Sequence, residues 1–168
     1  EIIVAREKRI PIIRRAEMLA DVKSDWPLVT PETIWGAPQS YFWFSGQVTI
    51  PPELAGERVY LWIDAQFGRV MGRSDPQCLV RINGDIRQGS DFNHREILLT
   101  PDALAGEVFD ILIEAGTIED RRQIGFGCRL MVHDPLAEQA YFDLKTPLDV
   151  AKHLPETDHR RDLILTVV

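Results

Sequence analysis

Two near-identical heptapeptides, PPELAGE at residues 51–57 and PDALAGE at 101–107, each sit between two short runs rich in β-branched and aromatic residues. SYFWFSGQVTI (40–50) precedes the first and RVYLWIDA (58–65) follows it, while REILLT (95–100) precedes the second and EVFDILIE (107–114) follows it. Proline cannot donate to a sheet ladder and glycine opens left-handed backbone, so each heptapeptide ends one strand and turns the chain into the next. The flanking runs alternate with period two. Val59, Leu61 and Ile63 fall on one face with Tyr60, Trp62 and Asp64 on the other, and Phe109, Ile111 and Ile113 oppose Val108, Asp110, Leu112 and Glu114. That period puts one face of each strand in a core and the other outside it.

Further runs follow the same rule. QCLVRI (77–82) and the segment from Ile86 to Gln88 flank Asn83-Gly84-Asp85, a tight hairpin signal. GCRLMVH (127–133) and AYFDL (140–144) read as the last strands. Strands at short intervals, with Gly/Pro turns and no helical crossovers, predict an all-β fold, an antiparallel β-sandwich of jelly-roll type. Residues 1–25 form an extension in which the stretch from Arg14 to Lys23 has helical propensity. Pro11 and the apolar run at 10–13 favour an extended start, and a strand is expected.

The sandwich is expected over 1–145, and 146–168 reads as a short helical linker. Thr146 is its N-cap, Pro147 its first helical position and Pro155 a break, after which Thr157 or Asp158 caps a second helix. Leu163, Ile164, Val167 and Val168 recur there at helical spacing as an apolar stripe. Glu1 in place of Met, and the apolar ending, raise the expectation of further protein on which this stripe docks.

An apolar fraction of 45% in 168 residues is enough for one core. A net charge of −7 repels phosphate backbones and anionic bilayers, which argues against nucleic acid and membrane as partners. No apolar run approaches the ~20 residues of a membrane helix, and no signal peptide opens the chain. Cys78 and Cys128 belong to no Cys-x-x-Cys or Cys/His cluster and fit a reducing cytosol, one buried bridge between them being the alternative. A cytoplasmic location is expected.

The chemistry-bearing motifs are absent from the sequence. His94, His133, His153 and His159 stand singly, without metal-site spacing, and no Gly-x-Ser-x-Gly elbow occurs. GRVMG (68–72) lacks the lysine and the glycine pattern of a phosphate cradle. No catalytic and no metal-binding residue is therefore nominated. The most polar loop, GSDFNHR (89–95), gathers an acid, an amide, an imidazole and a guanidinium, a mixture suited to hydroxyl-rich ligands. The competing reading is local: Asp91 and Asn93 build turns while His94 and Arg95 support the next strand. Trp35, Tyr41, Trp43 and Trp62 are able to stack on sugar rings, or to pack in the core or between domains. The carbohydrate-binding candidates are Trp35, Trp43, Asp91, Asn93, His94 and Arg95.

Read in order, WFSGQVTIPPELAGERVYLWID (43–64), LVRINGDIRQGSDFNHREILLT (79–100) and AGEVFDILIEAG (105–116) resemble the N-terminal β-sandwich domain of family 38 glycoside hydrolases, the class II α-mannosidases of cytosolic type. YFDLKTPLDVAKHLPETDHRRDLIL (141–165) is similar to the linker those enzymes place before the catalytic barrel, so the resemblance covers about 26–168. It implies a galactose-binding-domain-like scaffold in a parent that hydrolyses α-mannosidic bonds. In that family a separate catalytic domain holds zinc or another divalent metal through a His-x-Asp motif, which this chain lacks, so no cofactor is expected here. The implied role is that of a non-catalytic accessory domain, with the catalytic domain of the same polypeptide as partner and mannose-containing glycans as possible ligands. An independent carbohydrate-binding module is the alternative, and a homo-oligomer stays open.

Overall fold

The computed structural model describes residues 5–9, 14–16, 26–66, 68–70, 73–118 and 123–167. Contacts divide it into two units, one spanning Arg6–Val132 and another that contains His133–Val168. The strands of the first are β1 (Ala5–Arg9), β2 (Arg14–Ala16), β3 (Ile34–Trp35), β4 (Ser40–Thr49), β5 (Val59–Asp64), β6 (Gly68–Val70) and β7 (Arg73–Asp75). They continue with β8 (Gln77–Ile82), β9 (Asp85–Ser90), β10 (Glu96–Thr100), β11 (Val108–Thr117), β12 (Gln123–Ile124) and β13 (Gly127–His133). Two main sheets result, ordered β1-β13-β5-β10 and β2-β4-β11-β8-β9, with β12-β3 and β6-β7 as small ribbons. The paired strands run antiparallel, as the short Gly/Pro turns require.

Alternation decides which face each sheet buries. Phe42, Phe44 and Val48 of β4, Val80 and Ile82 of β8 and Ile111, Ile113 and Ala115 of β11 point inward from the five-stranded sheet. Val59, Leu61 and Ile63 of β5, Ile97 of β10 and Leu130 of β13 meet them from the four-stranded sheet in one continuous cluster. Each large apolar side chain so enclosed contributes about 1.5–3 kcal/mol before chain entropy is counted. Cys78 and Cys128 lie in this cluster as free thiols, not as a bridge.

The two heptapeptides that bracket the strands join each other. Gly56 N–H donates to Ala103 O (2.8 Å) and Ala103 N–H to Glu57 O (3.0 Å), while Ile50 and Gly106 exchange with Glu107 and Ile50 carbonyls at 2.8 and 2.9 Å. Leu54 and Ala103 are buried beneath, so segments that read as polar turns also close one end of the core. The Asn83-Gly84 turn forms the expected hairpin between β8 and β9, both residues having positive φ (53° and 88°). Asn83 Oδ1 accepts from Asp110 N–H (2.9 Å), which ties the turn to β11.

The C-terminal unit departs from the sequence expectation. Residues 140–144 are not a strand: they lie inside α1 (Pro135–His153), which also runs through Pro147. The helix begins where Asp134 Oδ1 accepts from Leu136 and Ala137 N–H (2.9 and 3.0 Å) with Pro135 at the first position. That cap outranks Thr146-Pro147 as a start, and the side-chain pairs Gln139 to Asp143 and Lys145 to Asp149, four residues apart, hold its exposed face. The domain limit expected at 145/146 therefore falls within a helix. α2 (His159–Val167) starts as anticipated, with Asp158 Oδ1 accepting from Arg160 N–H at 2.9 Å. The extended start expected near the N-terminus is found in β1 and β2, while the readings made on 10–13, 17–25, 71–72 and 168 lie outside the described residues. No helix among the described residues is long and apolar enough to cross a membrane.

Candidate functional site

After Ser90, whose side chain is buried, Asp91 organises the polar loop around one carboxylate oxygen. Asp91 Oδ1 accepts from the N–H groups of Asn93 (2.8 Å) and His94 (2.9 Å), and His94 Nδ1 lies 2.9 Å from the same atom. The backbones of Asp91 and His94 also exchange hydrogen bonds at 3.2 Å in both directions. Partial burial opposes ionisation of Asp91, but the hydrogen bonds from Asn93 and His94 prevail and hold its pKa below the usual carboxylate range. Asp91 is thus engaged in local turn chemistry, while Asn93 and His94 are exposed.

Arg95 leaves the loop towards the four-stranded sheet. Its guanidinium stands 5.3 Å from the Phe92 ring centre and 5.5 Å from that of Trp62, and Arg129 covers Trp62 at 3.9 Å. Trp62 and Arg129 are direct cross-strand partners on the outward face. On the other sheet Trp43 also faces outward, with Arg81 5.6 Å from its ring centre and Arg81 Nη1 3.6 Å from Glu114 Oε2. Such guanidinium-on-indole contacts contribute about 0.5–1 kcal/mol when exposed. The arginines were not legible as partners, because register across strands distant in sequence brings them together.

Trp35 is corrected outright as a sugar-stacking residue. It is 1% exposed, packs edge-on against Phe42 and Phe44 at 5.5 and 5.0 Å, and donates Nε1–H to Gly125 O at 2.8 Å. The six candidates therefore do not converge. Asp91, Asn93, His94 and Arg95 share one loop, Trp43 stands on the opposite outer face of the sandwich and Trp35 lies in its interior. Among the described residues no three His, Cys, Asp or Glu side chains are grouped as metal ligands.

Two stacked antiparallel sheets around one apolar core, with polar loops at the ends, define a β-sandwich. Similar solved folds are an uncultured Clostridium sp. beta-glucuronidase (11% identity, TM-score 0.52), a Ruminococcus gnavus b-glucuronidase in complex with C6-substituted uronic isofagomine (7%, 0.54) and a Lactobacillus rhamnosus beta-glucuronidase (9%, 0.51). Each similarity covers 80% of this chain but 30% of the other, and at these identities the likeness concerns the fold alone. No curated protein matches the sequence. The family model described as alpha-mannosidase, jelly roll domain, matches residues 7–147, and the chain belongs to that family. This agrees with the resemblance drawn from the ordered motifs at 43–64, 79–100 and 105–116.

Proposed function

We propose that this chain is a non-catalytic accessory domain of an α-mannosidase, docked through its C-terminal helices on the catalytic domain of the same polypeptide. The observation that carries the reading is the apolar surface of those helices. Leu136 (82% exposed), Phe142 (52%), Leu163 (53%) and Val167 (83%) lie open to solvent in a segment that follows or overlaps the end of the family match. Leu163 and Val167 stand one turn apart on α2, and exposed apolar side chains placed side by side suit cover by another protein surface. The occupant is taken to be the catalytic domain because the family is named for α-mannosidase and similar sandwiches occupy 30% of longer glycosidase chains. Bond cleavage, and any zinc or other divalent metal it uses, then belong to that neighbour. Two free, buried thiols support a reducing compartment such as the cytoplasm.

The test is to express the chain alone and joined to the remainder of its reading frame, and to measure mannoside hydrolysis and thermal unfolding of both. Hydrolysis by the longer polypeptide only, with the sandwich melting several degrees higher there, is the expected result. Introducing Leu163→Asp and Val167→Asp together should remove that difference in melting. Mannoside hydrolysis by the isolated chain, or equal melting in both contexts, would overturn the proposal.

A further inference from the structure

On the outward face of the five-stranded sheet, the register sets Tyr41 of β4 opposite Gly116 of β11, and Gly116 opposite Gln77 of β8. A depression of about 400 Å³ opens there, with Gln39, Glu114 and Ile118 also on its wall. None of the loop residues at 91–95 contributes to it. Its size falls within the ~300–1,000 Å³ of small-molecule sites.

Tyr41 and Gln39 are each held in place by a specific feature. A Cβ at position 116 would lie 3.2 and 3.4 Å from Cε1 and Cδ1 of Tyr41, so the ring rests against bare glycine backbone. Tyr41 is nevertheless 62% exposed, which leaves an aromatic surface at the rim. An aromatic side chain with two torsions, braced from behind, offers apolar area at little cost in conformational freedom. Gln39 has φ of +49°, a backbone conformation unusual for a residue with a Cβ. The turn that holds it there is clamped by Gln39 N–H to Ile118 O (3.3 Å) and by Thr117 Oγ1, which donates to Ala37 O at 2.6 Å. Beside Glu114, Arg81 Nη1 is buried and makes no hydrogen bond among the described residues, although it lies 3.6 Å from the Glu114 carboxylate.

This chemistry selects a ligand class. Two carboxamides supply both donors and acceptors, Glu114 supplies acceptors only, and the aromatic ring supplies a flat apolar face. Vicinal hydroxyls on a ring with one C–H face meet all three requirements. An anionic ligand is opposed by Glu114 and by the net charge of −7. We infer that this depression is a binding site for a neutral hexopyranose, stacked on Tyr41 with its hydroxyls on Gln39, Gln77 and Glu114. The site is independent of the docking surface on the helices, so failure of either leaves the other standing.

The experiment is an NMR titration of the ¹⁵N-labelled chain with methyl α-mannopyranoside, methyl β-glucopyranoside, methyl β-galactopyranoside and methyl β-glucuronide. At least one neutral glycoside should shift the amides of Gln39, Gln77 and Gly116, and the glucuronide should bind more weakly than the glucoside. Tyr41→Ala should reduce the affinity about tenfold. Tyr41→Leu, which keeps apolar bulk over Gly116, should lose binding to a similar degree while its spectrum stays that of the folded chain. Asp91→Asn should leave binding unchanged. Absence of shifts at these amides with all three neutral glycosides would overturn the assignment. So would tighter binding of the glucuronide, or shifts centred on residues 91–95 that survive Tyr41→Leu.

Discussion

The indole nitrogen of Trp35 donates a 2.8 Å hydrogen bond to the carbonyl of Gly125, 90 residues away in the chain. The bond joins the ribbon of β3 and β12 within an aromatic cluster in which Phe44 and Phe126 stack at 3.8 Å. Trp35→Phe keeps most of the apolar volume but leaves a carbonyl unpaired, and should cost about 1–3 kcal/mol. Trp35→Ala, which also opens a cavity, should cost about 3–5 kcal/mol. Urea unfolding monitored by fluorescence distinguishes the two; a Trp35→Phe loss near zero would show that the hydrogen bond contributes nothing.

Gln123 is 1% exposed, and among the described residues neither its Nε2 nor its Oε1 has a hydrogen-bond partner. A buried amide without partners costs about 1–3 kcal/mol of desolvation. Gln123→Met, close in shape, is therefore expected to raise the melting temperature by a few degrees, and a lower value in calorimetry would refute this.

Asp91 ties the polar loop through its ionised form. Because its folded pKa lies below the ordinary value of 3.8, its contribution is present in full above that pH and is lost as the pH falls through the lower folded value. The amide resonances of Asn93 and His94 should titrate with a midpoint below 3.8. Asp91→Asn should abolish that transition, and a midpoint at or above the ordinary value would contradict the geometry.

Burial pushes the thiols of Cys78 and Cys128 far above their ordinary range, with Cys128 beside the first and Asp64 beside the second adding to the effect. Neither should react with a disulfide reagent at pH 8 until the sandwich unfolds. Thiol release should follow global unfolding as urea is raised, whereas rapid labelling of the native chain would show a local opening.

Pro147 lies inside α1, where it has no N–H to donate to the preceding turn. Pro147→Ala should strengthen the helix by about 1–3 kcal/mol, with a larger ellipticity at 222 nm. The new amide at 147 should resist hydrogen exchange; rapid exchange there would mean that the turn remains open.

The sequence by itself determined most of the strands and which of their faces is buried. Alternation is local, and so is the Asn83-Gly84 turn, since each depends on backbone sterics and side-chain polarity within a few residues. The family likeness was legible for a related reason, because strands and turns recur in a fixed order along the chain. The tertiary structure decided what depends on pairing. Trp35 belongs to a two-residue strand with no period to read, so only its packing with Phe42, Phe44 and Phe126 shows it to be core. Residues 140–144 carry a strand-like composition, yet the Asp134 cap and the side-chain pairs along α1 make them helical. Tyr41, Gly116 and Gln77 come from three strands and form one depression only through their register, which no single segment of sequence encodes.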